Sequence, residues 1–204
     1  MTRRRGAAAR RSMALSALIL ASSVLVGCSG DPNSVSELAK NSDGRGDAAG
    51  HGAIEQIAPD RRGEPVQLTG PLLDGGSWSS RKEQGKVVVL SVWGSWCGPC
   101  QAELPRLQQA WTQLSAAHPD VRFLGIDTGE SAATGQAVVQ RFGLTYPQLS
   151  DPDRTVPLSL QGKAAATPTT LVLDRKGRIA ARVSGEVTAE STVVGLVQDV
   201  LKET

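Results

Sequence analysis

Aromatic residues are scarce: four tryptophans, two phenylalanines and one tyrosine in 204 residues. That excludes a core built on large rings, so the 40% apolar content implies packing by Val, Leu, Ile and Ala. Histidine is scarcer still, His51 and His118 only, and cysteine amounts to Cys28, Cys97 and Cys100. A structural zinc site wants four ligands, either two cysteine pairs or one pair with two histidines at short spacing. Neither pattern is present, so no metal is expected and both histidines read as solvated bystanders. Three cysteines are an odd number, and an odd thiol in an exported protein calls for an explanation. There is no internal repeat. The longest apolar run, Met13 to Val26, covers 14 residues, short of the roughly 20 that a permanent membrane-spanning helix needs.

Acidic residues are absent from the first 27 positions, which hold five arginines: Arg3, Arg4, Arg5, Arg10 and Arg11. The formal net charge of +2 arises there. Setting those five aside from the 22 basic residues leaves 17 against 20 acidic ones, so the charge gives no support to nucleic-acid binding. A positive segment followed by a short apolar stretch reads as an export signal. It ends in Leu25-Val26-Gly27-Cys28, which resembles the bacterial lipobox. The resemblance implies cleavage after residue 27, acylation of Cys28 and attachment to the outer face of the cytoplasmic membrane. More than one acyl chain suffices for stable anchoring. An uncleaved signal anchor and plain secretion are the alternatives. With Cys28 lipidated, Cys97 and Cys100 remain as a pair.

Residues 28–63 are rich in Ser, Gly, Asp, Asn and Ala, with little apolar periodicity, and read as a flexible tether. A coil of that length would span about 30–35 Å. The folded domain is expected over residues 64–204. Val66 to Leu73 and the region around Trp78 predict a β-hairpin turning at Asp74-Gly75-Gly76. Lys86 to Trp93 is a β-branched run fit for a strand buried on both faces. Leu104, Leu107, Trp111 and Leu114 fall at spacings of three and four and predict a helix from Pro99 to Ala117. Val121 to Ile126 predicts a second strand, and Ser131 to Phe142 a helix stopped by Gly143. Thr169 to Leu173 and Arg178 to Val183 predict antiparallel strands about the turn 174–177. A last helix is expected from Thr188, as its cap, to Leu201. Pro157 reads as an interruption of a short helix in "DRTVPLSL". Together these predict an α/β fold: a mixed central sheet flanked by helices, with an N-terminal β-hairpin.

The cysteine pair stands where the first strand meets the first helix. As a staple it would be weak, because a disulfide stabilises by closing a loop and two residues close almost nothing. As a redox pair it is well placed. Cys97 falls at the helix N-terminus, where unpaired N–H groups and the helix dipole favour a thiolate. Cys100 lies one turn in, on the same face. That arrangement makes Cys97 the attacking thiol and Cys100 the resolving one. Gly98 permits close approach of another backbone, and Pro99 begins the helix without wasting a donor.

The stretch "WGSWCGPCQAELPRL", with Trp96 before the pair and Pro105 five residues after it, resembles the thioredoxin superfamily active site. "ATPTTLVLDRKGRI" resembles that superfamily's second signature. There Thr167-Pro168 would be a cis bond packed beside the cysteines, and the Thr167 backbone would pair with an extended substrate segment. The lipobox, the hairpin and "GIDTGES" are similar to membrane-anchored thiol–disulfide oxidoreductases of the TlpA/ResA type. That likeness implies a thioredoxin-like fold and a redox-active disulfide with no other cofactor. It also implies protein substrates bearing cysteines, such as apocytochrome c, and re-reduction by a membrane-embedded thiol donor. It places Glu103 three residues past Cys100, near enough to influence its proton; an ordinary exposed helix position is the alternative. Cytosolic thioredoxins carry a buried aspartate six residues before the first cysteine, and here that position is Ser91. Three other functions stay open: an oxidant of exported proteins, a peroxidase, and a redox-inert binding module. The peroxidase is disfavoured because Trp93-Gly94-Ser95-Trp96 replaces the Pro-x-x-x-Thr-x-x-Cys context.

Overall fold

The computed structural model describes residues 53–203. The leader, Cys28 and His51 lie outside the described residues, as does the tether up to residue 52. Six strands form one sheet: β1 (Ala53–Gln56), β4 (Val87–Trp93), β5 (Val121–Thr128), β6 (Gln148–Asp151), β7 (Thr169–Leu173) and β8 (Ile179–Ser184), in the order β1-β8-β7-β4-β5-β6. The strands β4, β5 and β6 run parallel, whereas β7 pairs antiparallel with β4 and β8, and β8 with β1. A separate hairpin joins β2 (Thr69–Pro71) to β3 (Ser77–Ser79). The helices are α1 (Gly98–Ala117), α2 (Ala132–Phe142), the single turn α3 (Val156–Ser159) and α4 (Glu190–Leu201). This is the expected mixed-sheet, thioredoxin-like fold with its hairpin.

All seven residues of β4 are buried, and their alternation sorts the core into two halves. Val87, Val89 and Trp93 face a cluster built with Leu104, Leu107 and Leu114 of α1 and Val193 and Val197 of α4. Val88, Leu90 and Val92 face the other cluster, covered by Val66, Leu68, Trp78 and Leu160. Ser91 falls on the α1 side of this alternation, which matters for the site below.

Four expectations shift. The folded region begins before Glu64: β1 pairs with β8 from Ala53↔Ser184 to Gln56↔Ala181, and Ile57 N–H donates to Ala180 C=O. Arg62, its side chain buried, bonds Asp174 at 3.0 Å and Glu203 at 2.6 Å. Residues 53–62 are thus part of the domain, although their composition is that of the tether. The strand β6, polar and four residues long, was not expected. Pro157 stands in the first turn of α3, where its missing N–H costs nothing, and so starts that turn instead of breaking it. The last helix starts at Glu190 after Ala189, and no side chain caps it, Thr188 included.

Candidate active site

The central strand ends at Trp93, and a short loop carries the chain to α1. Cys97 is the N-cap of α1 in extended conformation, and its Sγ accepts the Cys100 N–H at 3.2 Å. Cys97 and Cys100 are joined as a disulfide. Cys100 is fully buried and Cys97 is 6% exposed, while Gly98, Pro99 and Trp96 lie on the surface. Solvent and substrate therefore meet the pair through Cys97 alone. The N–H that Cys97 Sγ accepts, with the dipole of a 20-residue helix behind it, would stabilise a thiolate there once the bond is reduced. Pro105 stands inside α1 without ending it.

A second wall comes from β7. Its first residue, Thr169, pairs with Val92 near the end of β4, so the segment before it emerges beside the cysteine loop. Thr167-Pro168 is cis. Pro168 is buried, and its C=O accepts the Gly185 N–H. The backbone of Thr167 bonds nothing among the described residues, which leaves an N–H and a C=O for an incoming strand.

Beneath the pair sits Glu103, fully buried and therefore no exposed helix residue. It occupies the α1 face that carries Cys100, one turn further on. Its Oε2 accepts the Val187 N–H at 2.9 Å, and Ser91 Oγ donates to Oε1 at a long 3.5 Å. A carboxyl thus occupies the space above Ser91, supplied by the helix and not by the strand. Burial pushes it up to about 8, against the opposing Val187 hydrogen bond.

The third wall was missed by sequence reasoning. Parallel pairing places Trp93 opposite Asp127 and brings the loop after β5 against the cysteine loop. Glu130 accepts the Ser95 N–H at 2.6 Å and the Ser95 hydroxyl. Thr128 C=O accepts the Trp96 indole N–H at 3.0 Å, and Ser95 C=O accepts Gln101 Nε2 at 2.7 Å. The segment leading to Cys97 is clamped at four points. Behind the clamp lies Asp127, fully buried against Gly135, where any Cβ would collide with its carboxyl. Burial, then the neighbouring Glu130 carboxylate, pushes Asp127 up to about 8, so it is protonated at neutral pH, and neither of its carboxyl oxygens has a hydrogen-bond partner among the described residues. Burial works against the charge of Glu130, but the neighbouring Asp127 carboxyl and the two bonds from Ser95 outweigh it and hold this carboxyl below its ordinary range. The signal available was "GIDTGES", two acids at the carboxyl end of a buried strand, where open α/β sheets place their sites.

The comparisons with known proteins agree with this geometry. The chain is 32% identical over 107 residues to the thiol-disulfide oxidoreductase ResA of Geobacillus thermodenitrificans, covering 52% of this chain and 59% of that one. It is 35% identical over 100 residues to the soluble secreted antigen MPT53 of Mycobacterium tuberculosis, covering 49% and 54%. The chain thus spans little more than half the length of these curated relatives. Among solved structures, a secreted thiol-disulfide isomerase of Corynebacterium glutamicum matches with a TM-score of 0.69 and 32% identity, over 74% of this chain and 92% of that one. The sequence model of the AhpC/TSA family matches residues 54–182, from β1 through most of β8, and the chain belongs to that family.

Proposed function

We propose that the protein is an extracytoplasmic thiol–disulfide oxidoreductase that reduces disulfides of exported proteins, with apocytochrome c as the leading substrate. The Cys97 thiolate attacks one sulfur of the substrate disulfide. A Cys97–substrate bond forms, and the departing substrate sulfur takes a proton. Cys100 then gives its proton to Glu103 and attacks Cys97 Sγ. The second substrate thiol leaves, and two electrons have passed to the substrate as the Cys97–Cys100 disulfide forms. A dithiol donor at the membrane restores the pair. Trp96, Gly98, Pro99, Thr167 and Pro168 form the docking surface, with the Thr167 backbone pairing to the substrate segment.

One observation carries this reading: a buried cysteine pair open to solvent only at Cys97, beside a Thr167 backbone with no partner among the described residues. The relatives bearing oxidoreductase and secreted names support the chemistry and the compartment. Acylation at Cys28 would hold the domain at the membrane surface. Cytochrome c attaches haem at a Cys-x-x-Cys-His segment, which supplies the test. Reduced protein is mixed with an equimolar oxidised Cys-x-x-Cys-His peptide, and peptide thiols are counted by alkylation and mass. The expected result is a dithiol peptide and an oxidised Cys97–Cys100 pair. If the oxidised protein instead converts the dithiol peptide to its disulfide, the protein is an oxidant and the same residues run in reverse.

A further inference from the structure

The segment between β6 and β7 carries an arginine the exchange mechanism does not use. The Arg154 guanidinium lies over the Trp96 ring, 4.7 Å from its centroid. On another side it meets the backbone of Gly129, which has φ +76°, and a Cβ at that position would collide with the guanidinium. Arg154 itself is held with φ +56°, in the left-handed region that few non-glycine residues occupy.

The turn that imposes this conformation is anchored. Its Arg154 N–H donates to Asp151 C=O. Asp151 is buried, and its Oδ1 accepts Thr155 N–H at 2.8 Å, the Thr155 hydroxyl at 3.1 Å and Val156 N–H at 3.2 Å. Its Oδ2 accepts the Thr128 hydroxyl at 2.9 Å. Thr128 is the residue whose C=O holds the Trp96 indole. One buried carboxylate therefore ties the arginine turn to the loop that positions Trp96 and, next in sequence, Cys97.

A guanidinium stacked on a ring uses its face and leaves its in-plane N–H groups free, in the fork that fits a carboxylate. Apart from its stack on Trp96, the Arg154 guanidinium forms no ion pair or hydrogen bond among the described residues. Glu130, in the loop after β5, is committed to the Ser95 N–H and hydroxyl, and the exposed Asp153, next to Arg154 in the chain, forms no ion pair with it. Trp96, 49% exposed, adds apolar surface beside the guanidinium.

We propose that Arg154 is a specificity-determining residue, a pre-positioned cation on Trp96, the residue before Cys97, that selects substrate segments with an Asp or Glu close to their disulfide. The proposal rests on the oxidoreductase reading and names the substrate class of the same site. The test uses the reduced full chain and two oxidised disulfide peptides that differ only in a flanking Glu or Lys. The quantity read is the ratio of their second-order rate constants. Wild type is expected to favour the Glu peptide by about tenfold, the scale of one charge-assisted bidentate pair. Arg154→Gln is expected to bring the ratio near one, and Arg154→Lys to keep its direction at smaller size. The preference should shrink with added salt. Because each ratio is taken within one variant, a general loss of activity does not imitate the effect. A ratio near one in wild type, or a wild-type ratio retained in Arg154→Gln, overturns the proposal. Failure of wild type to reduce either peptide overturns the oxidoreductase reading itself.

Discussion

Replacing Cys97 by serine is expected to lower disulfide exchange by at least ~10³-fold, the scale of losing an enzymatic nucleophile. The reason is access. Cys100 is fully buried behind the first turn of α1, so it has no approach to a substrate disulfide when Cys97 cannot attack. The complementary Cys100→Ser variant retains the Cys97 thiol, the one of the pair that solvent reaches, and the helix N-terminus that activates it. It should complete the first attack and stop, accumulating a covalent protein–substrate adduct visible by mass and removed by dithiothreitol. The pair of outcomes separates an exchange enzyme from a redox-inert binding module, which would keep its activity in both variants. Exchange persisting in Cys97→Ser would contradict the assignment of the two thiols.

The second large effect concerns Glu103. A positioned general base contributes about 10²–10⁴-fold, and Glu103→Gln is expected to slow release from the mixed disulfide by about 10²-fold at pH 8. A carboxyl pushed up to about 8 is a much stronger base than an ordinary carboxylate near 4.3, and so better able to take a thiol proton. The wild-type release rate should climb with pH and flatten near 8 as Glu103 loses its proton, and that inflection should vanish in Glu103→Gln. Stability should move the opposite way. The folded state holds the Glu103 proton more tightly than the unfolded chain, whose carboxyls titrate near 4.3. The stabilisation from that proton is complete below about pH 4 and is lost as pH rises towards 8. The neutral amide keeps an acceptor for Val187 N–H and loses this dependence. Glu103→Gln should therefore unfold at a higher urea concentration than wild type at pH 8 while reacting more slowly. A purely structural role would lower both.

How much of this was readable depends on where each interaction is encoded. Strand β4 was legible because burial on both faces leaves an unbroken apolar run. The helix α1 was legible because its inward leucines repeat at helical spacing. The edge strands β1 and β6, "AIEQ" and "QLSD", were not, since an edge strand is held by backbone pairing that side-chain pattern does not report. Composition accordingly assigned residues 53–62 to the tether, whereas Arg62 fastens them to Asp174 and Glu203. Cys97, Cys100 and the cis Thr167-Pro168 bond came from local motifs. The burial of Glu103 over Ser91 required knowing which face of β4 meets α1, which alternation along the strand does encode. The Glu130 clamp on Ser95 and the Arg154 stack on Trp96 join residues 35 and 58 positions apart. They exist because parallel pairing sets the carboxyl ends of β4, β5 and β6 side by side.

The most direct test of the central claim is the equilibrium reduction potential of the Cys97–Cys100 pair, measured on the full chain in graded dithiol buffers and scored by thiol alkylation. A reductant predicts a value close to the roughly −270 mV of thioredoxin. A value close to the roughly −120 mV of a strong periplasmic oxidant would contradict it. The pair would then donate its disulfide to exported proteins.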